Sequence, residues 1–138
     1  MTNKFDEFLG VLHDSRLYGF LLDWDAELWK FNVILYVHIF SDYNFELEQY
    51  SLEKALVIFE NASIDKLSIT HDLNCGQFYI VDYDVNDLGN GQYQFIFEFN
   101  SSTLELVVTA ENMRISSSGL IEEKDDQFLS TNWGKLFE

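Results

Sequence analysis

Residues 12–40, LHDSRLYGFLLDWDAELWKFNVILYVHIF, decide how this chain is read, because no other stretch combines such length with such continuous apolar character. Its side chains alternate with the period of two that belongs to a strand. From Arg16 one parity reads Arg16, Tyr18, Phe20, Leu22 and Trp24, and this is the face expected inward. A polar Asp25-Ala26-Glu27 interrupts the run. A second run follows, with Trp29, Phe31, Val33, Leu35, Val37 and Ile39 on one side and Leu28, Lys30, Asn32, Ile34, Tyr36, His38 and Phe40 on the other. Val, Ile, Tyr, Phe and Trp favour strands over helices, so the stretch predicts two long strands joined by a short polar loop.

Outward from that hairpin, Lys4 to Leu12 places Phe5, Phe8, Leu9 and Leu12 at helical spacing behind Asn3, which predicts a short N-terminal helix. Ser41 to Asn44 is turn chemistry, and Phe45–Ser51 and Leu52–Phe59 read as two further extended segments. Residues 64–70 fit either a short strand or one helical turn. The second half carries a three-strand meander. Tyr79, Val81, Tyr83 and Val85 are expected inward on its first strand, with Phe78, Ile80, Asp82 and Asp84 outward. Asn90-Gly91 supplies the hairpin turn, since both residues tolerate positive φ. Tyr93, Phe95, Phe97 and Phe99, then Leu104, Leu106, Val108 and Ala110, form the inward rows of the next two strands. Met113 to Ile115 predicts a short edge strand, Ser116 to Gly119 a flexible linker, and 116–138 a C-terminal segment that is either flexible or packed on the sheet, with helix as one option.

The expected fold class is therefore mainly β (α+β): one domain over residues 1–138, an antiparallel meander sheet, strongly curved or sandwich-like, with helix confined to the ends. At 138 residues, 47% hydrophobic and 17% aromatic, the chain has enough apolar mass for one core. A single cysteine, Cys75, forms no intrachain disulfide, which points to a reducing compartment. The first residues carry acids inside a short apolar run, unlike a secretory leader, and no apolar run reaches membrane-spanning length. A cytoplasmic protein with no membrane association is expected.

Twenty-four acids oppose eight bases, a formal net charge of −16. A phosphate backbone is repelled by such a field, which argues against nucleic-acid binding, whereas a basic protein is attracted. No Lys or Arg lies between Leu67 and Met113, while Asp72, Asp82, Asp84, Asp87, Glu98, Glu105 and Glu111 do. Asp82, Asp84, Asp87 and Glu98 beside Phe78 thus form the candidate partner-binding residues, carboxylates for steering next to an apolar group for affinity. The plainer reading is a solvated outer face. Acidic clusters at Asp23, Asp25 and Glu27 and at Asp42, Glu46 and Glu48 lack the ligand order of a calcium loop.

No catalytic constellation is legible. His-Asp occurs twice, at His13-Asp14 and His71-Asp72, and these four residues are the candidate ligands of an alternative reading, a metal-dependent enzyme or small-ligand binder. Turn residues bonding their own backbone are the preferred explanation of the pairs. Cys75 has His71 four residues earlier but no signalled oxyanion hole. No cofactor is expected.

The LHDSRL segment at residues 12–17, set between a short apolar helix and the strands, and the Phe-Glu-Asn-Ala-Ser step at Phe59 to Ser63 follow an order similar to that of small β-rich immunity proteins of bacterial polymorphic toxin systems. The resemblance spans most of the chain as a pattern. It implies a cytoplasmic, non-catalytic inhibitor that covers the active site of a basic toxin domain, and it transfers no binding residue. A homodimer through an unprotected sheet edge is compatible with the absence of proline.

Overall fold

In a computed structural model that describes residues 4–69, 78–100, 104–127 and 129, the central hairpin is formed by β1 (Arg16–Asp25) and β2 (Lys30–Asn44). Asp25 pairs with Lys30 and Leu22 with Val33. Asp25 Oδ1 accepts the N–H groups of Glu27 and Leu28, at 3.0 and 3.1 Å, and Trp29 turns the chain back at φ 52°. The next hairpin repeats that device. Asn44 Oδ1 accepts from Glu46 and Leu47, both at 3.0 Å, Glu48 sits at φ 52°, and β3 (Gln49–Glu60) follows. Both turns read Asx-x-Glu-Leu-x, a short side chain capping two orphan amides.

Two expectations fail at this point. The turn expected at Ser41–Asn44 lies instead at Phe45–Glu48, because Ser41 is absorbed as an irregularity between Phe40 and Asp42 while the ladder continues to Asn44. The break expected between Ser51 and Leu52 is absent, since Gln49–Glu60 is one strand.

The remaining strands are β4 (Ser63–Ile69), β5 (Phe78–Gly89), β6 (Gln92–Phe99), β7 (Leu104–Ala110) and β8 (Asn112–Lys124). All eight are antiparallel, in the order β4-β7-β6-β5-β1-β2-β3-β8. The meander β5-β6-β7 turns at Asn90 and Gly91, φ 56° and 77°, as that dipeptide requires. Residues 64–70 resolve as strand up to Ile69.

The sheet bends back on itself. β3 and β6 stand four places apart in the strand order, which in a flat sheet is roughly 19 Å at about 4.8 Å per strand. Yet the ring of Phe59 on β3 lies 5.2 Å from Phe95 and 5.9 Å from Phe97 on β6. One bend is a corner in a long ribbon. β3 pairs with β8 down to Glu60↔Asn112, and β4 with β7 from Ser63↔Thr109 onward, so the two strands change direction together at Asn61-Ala62 and Glu111. Strands that pass from one layer to another at a corner do so through such a local break. Asn61 adopts φ 49°, its N–H donates to Asn32 Oδ1 at 3.0 Å, and its side-chain amide donates to Glu111 Oε1 at 2.8 Å. Ala62 N–H donates to Phe31 O, which pins the corner to β2. The other bend is the join of β1 to β5, where only Arg16↔Tyr79 and Leu17↔Phe78 pair before the strands part.

Between the bent halves lie Val33, Leu35 and Val37 of β2, Val57 and Phe59 of β3, Phe95, Phe97 and Phe99 of β6, and Leu104, Leu106 and Val108 of β7. These inward rows match the alternation of the sequence. Phe5, Leu9 and Leu12 close one end, with the Phe5 ring edge-on to Tyr93 at 4.9 Å and Phe95 at 5.0 Å.

The inward row expected for β1 is realised only in part: the irregularity between Leu17 and Gly19 reverses the alternation, so Leu17 packs on the core while Tyr18 lies on the outward side against His38. Phe20, Leu22 and Trp24 share the parity of Leu35, Val33 and Phe31 but remain exposed, Phe20 at the mouth of an apolar gap that it lines with Leu67 and Ile69 of β4. Of the expected N-terminal helix only a five-residue turn, α1 (Asp6–Gly10), is present. The expected linker at Ser116–Gly119 is instead part of β8. Backbone pairing is indifferent to side-chain identity, and β3 offers an edge from Tyr50 to Glu60. Gly119 takes φ 79° at the one irregularity, its N–H donating to Glu53 Oε2. Residues 120–124 are strand rather than helix, and 130–138 lie outside the described residues. Among the described residues no helix is long and apolar enough to cross a membrane.

Candidate functional site

A bulge in β5 sets the geometry of the acidic face. Ile80 pairs with Phe99 and Asp82 with Glu98, so Val81 is an extra residue, and the strand's alternation reverses across it. Before the bulge Phe78 and Ile80 turn inward and pack in the core; after it Tyr83 and Val85 do so. Phe78 is therefore not an exposed neighbour of Asp82 and Asp84, contrary to the simple alternation of the sequence. Asp87 also separates from them. It shares the parity of Tyr83 and Val85, and its Oδ1 accepts the Gly89 N–H at 2.9 Å, which makes it a turn residue.

Asp82, Asp84 and Glu98 do come together. Asp82 stands directly across from Glu98 on β6, and Glu98 directly across from Glu105 on β7. Asp84 faces Ile96, which faces Val107. The outer surface of this half is thus a row of three carboxylates beside a row with two branched aliphatics. Asp82, Asp84, Ile96 and Glu98 line a groove of about 300 Å³, and Ile96, Glu98, Glu105, Val107 and Lys66 line a neighbouring one of about 600 Å³. Lys66 Nζ lies 2.6 Å from Glu105 Oε2 at the end of the row. Asp82 and Asp84 each accept the N–H of the following residue, at 2.8 and 2.9 Å, which holds the carboxylates against the strand. Burial, and then the nearby Asp6 and Asp82 carboxylates, push the Tyr83 phenol above its usual range.

Like charges directly opposite one another across strands destabilise a sheet. Asp82, Glu98 and Glu105 do this twice in succession, with Lys66 offsetting the charge at the Glu105 end. The apolar component of the surface is Ile96 and Val107, whose outward parity is plain in the sequence, although only the pairing shows that they sit beside the acids.

Of the two His-Asp pairs only His13-Asp14 lies among the described residues. His13 Nδ1 lies 3.2 Å from Asp14 Oδ2 on the surface, and Asp14, at φ 64°, donates its N–H to Ile80 O in the turn that enters β1. His71, Asp72 and Cys75 lie outside the described residues. Among the described residues no three His, Cys, Asp or Glu side chains are grouped to hold a metal ion. His38, the third histidine, is buried on the outward side of β2 with Nδ1 2.6 Å from Tyr18 Oη.

The first hairpin loop holds a feature the alternation concealed. Both tryptophans beside Asp25 have parities that suggest burial, yet Trp29 is 79% and Trp24 51% exposed, their rings edge-to-face at 5.7 Å. Asp23, Asp25 and Glu27 surround them in sequence. Compared with protein-family models, curated proteins and solved structures, the chain matches none.

Proposed function

We propose that this chain is a non-catalytic acidic interaction protein, an immunity-type inhibitor that binds a basic toxin domain and blocks its active site. The observation that carries the reading is the cross-strand row Asp82, Glu98, Glu105. That arrangement opposes folding by charge repulsion, and a cationic surface laid over it converts the repulsion into attraction while Ile96 and Val107 supply apolar contact. The surplus of acids over the whole chain accelerates the encounter. Such a protein works in the cytoplasm of the cell that makes the toxin.

The test is co-purification with the C-terminal domain of a secreted toxin encoded immediately upstream, followed by titration calorimetry at low and high salt. Tight binding that weakens with salt, and weakens further in Asp82→Asn and Glu98→Gln, supports the proposal. Failure to capture any basic toxin domain at low salt, or binding indifferent to both substitutions, overturns it.

A further inference from the structure

Six rings follow one another without a break along the outward side of β1, β2 and β3. Centroids are 5.6 Å apart for Tyr18–His38, 5.2 Å for His38–Phe40, 5.7 Å for Phe40–Tyr50, 4.8 Å for Tyr50–Tyr43 and 4.9 Å for Tyr43–Phe45. The row runs from half-buried Tyr18 through buried His38 and ends in solvent at Phe45, which is 83% exposed. Where it emerges, Phe40, Tyr43, Tyr50, Asp14, Asp42 and Gln127 line a groove of about 290 Å³. That is at or below the lower limit of roughly 300–1,000 Å³ for small-molecule pockets, and it suits the head of one side chain. Asp42 Oδ1 accepts the Tyr43 N–H at 2.8 Å, which holds its carboxylate beside the ring.

We infer that this groove takes the guanidinium group of an arginine presented by the basic partner. The inference rests on the reading above that the partner is basic. Aromatic faces attract cations, Asp14 and Asp42 are among the lining residues, and among the described residues no Lys or Arg lines the groove. Two described cations that touch or pair with its lining residues are already engaged. Arg16 stacks on Tyr79 at 4.4 Å and donates to Asp14 O and to Gln127 Oε1, and Lys124, across the ladder from Tyr50, lies 3.9 Å from Asp126. Arg16 shows the geometry in miniature: ring below, oxygen acceptors at the edge. A guanidinium is flat, weakly hydrated and forked, so it stacks and bonds a carboxylate at the same time, which an ammonium does less well.

The experiment titrates the isotope-labelled full chain with the blocked tripeptide Gly-Arg-Gly and its citrulline and lysine counterparts, following the amides of Phe40, Asp42, Tyr43 and Tyr50. Saturable shifts with the arginine peptide, at least about ten-fold weaker with citrulline, are expected, since citrulline keeps the shape and loses the charge. Tyr50→Leu and the surface change Asp42→Asn each weaken binding by roughly five-fold, while Asp82→Asn leaves it unchanged. A citrulline or lysine peptide that binds as tightly as the arginine peptide overturns the assignment. Arginine shifts confined to the Asp82 and Glu98 amides discard the groove and leave the acidic-face reading standing. Saturation at the groove, with toxin binding indifferent to Asp82→Asn and Glu98→Gln, keeps the groove and discards the face.

Discussion

Tyr18 Oη lies 2.6 Å from His38 Nδ1 and accepts the N–H of Leu129 at 3.1 Å, so one hydroxyl joins β1, β2 and the chain beyond β8. The hydroxyl and Nδ1 share one hydrogen bond, whose direction follows the imidazole tautomer, and Nε2 is buried without a hydrogen-bond partner among the described residues. His38 is held neutral by its surroundings. Burial, reinforced by the Arg16 guanidinium and only partly opposed by Glu122, lowers its pKa from 6.5 to about 4, and Lys54 stands opposite on β3.

The consequence for pH is specific. Because the folded pKa lies below the unfolded one, this contribution is complete above about pH 6.5 and declines as pH falls toward 4, where the unfolded chain alone takes up the proton. The loss is on the order of 3 kcal/mol. Urea denaturation of wild type and His38→Leu across pH 4–7 should give a stability difference with that slope, and an imidazole titrating near 6.5 by NMR would contradict it.

Tyr18→Phe removes one donor and one acceptor at once. Leaving buried groups unsatisfied costs about 1–3 kcal/mol, and faster amide exchange at Leu129 should accompany the lower denaturation midpoint.

Phe59 is the ring on which the two bent halves meet. Phe59→Ala should cost about 3–5 kcal/mol in chemical denaturation, whereas Phe45→Ala, on the surface, should stay within about 0.5 kcal/mol.

The corner at Asn61 separates conformational from hydrogen-bonding contributions. Asn61→Gly keeps access to φ 49° and loses only the side-chain bond to Glu111, while Asn61→Val loses both. The valine variant should be the less stable by about 1–2 kcal/mol in the same assay.

Glu98→Gln should raise the thermal midpoint slightly, by about 0.2–1 kcal/mol of stability, because it interrupts the carboxylate row at its centre. A midpoint that falls would show that the row is not under repulsion.

The strand rows of β2, β6 and β7 were legible because their alternation is unbroken and one face is fully covered. Phe78 and Ile80 were misplaced because one extra residue at Val81 puts them out of phase with Asp82 and Asp84, and no residue type marks a bulge of this kind. Trp24 was misplaced for another reason: periodicity reports which way a side chain points, and burial also needs something on the other side. Ser116 to Gly119 looked like a linker because a serine run carries no strand preference, yet the β3 edge decides its conformation.

By itself the sequence determined the antiparallel β class, the Asn90-Gly91 hairpin, the inward rings of β6 and the large negative charge, since each depends on residues close together in the chain. Tertiary structure alone decided the ribbon corner at Asn61 and Glu111, the meeting of Phe59 with Phe95, the adjacency of Asp82, Glu98 and Glu105, and the ring row that opens beside Asp42. Strand order and register fix those relationships through backbone pairing between residues distant in sequence, and the ladder's hydrogen bonds carry no signature of the side chains they bring together.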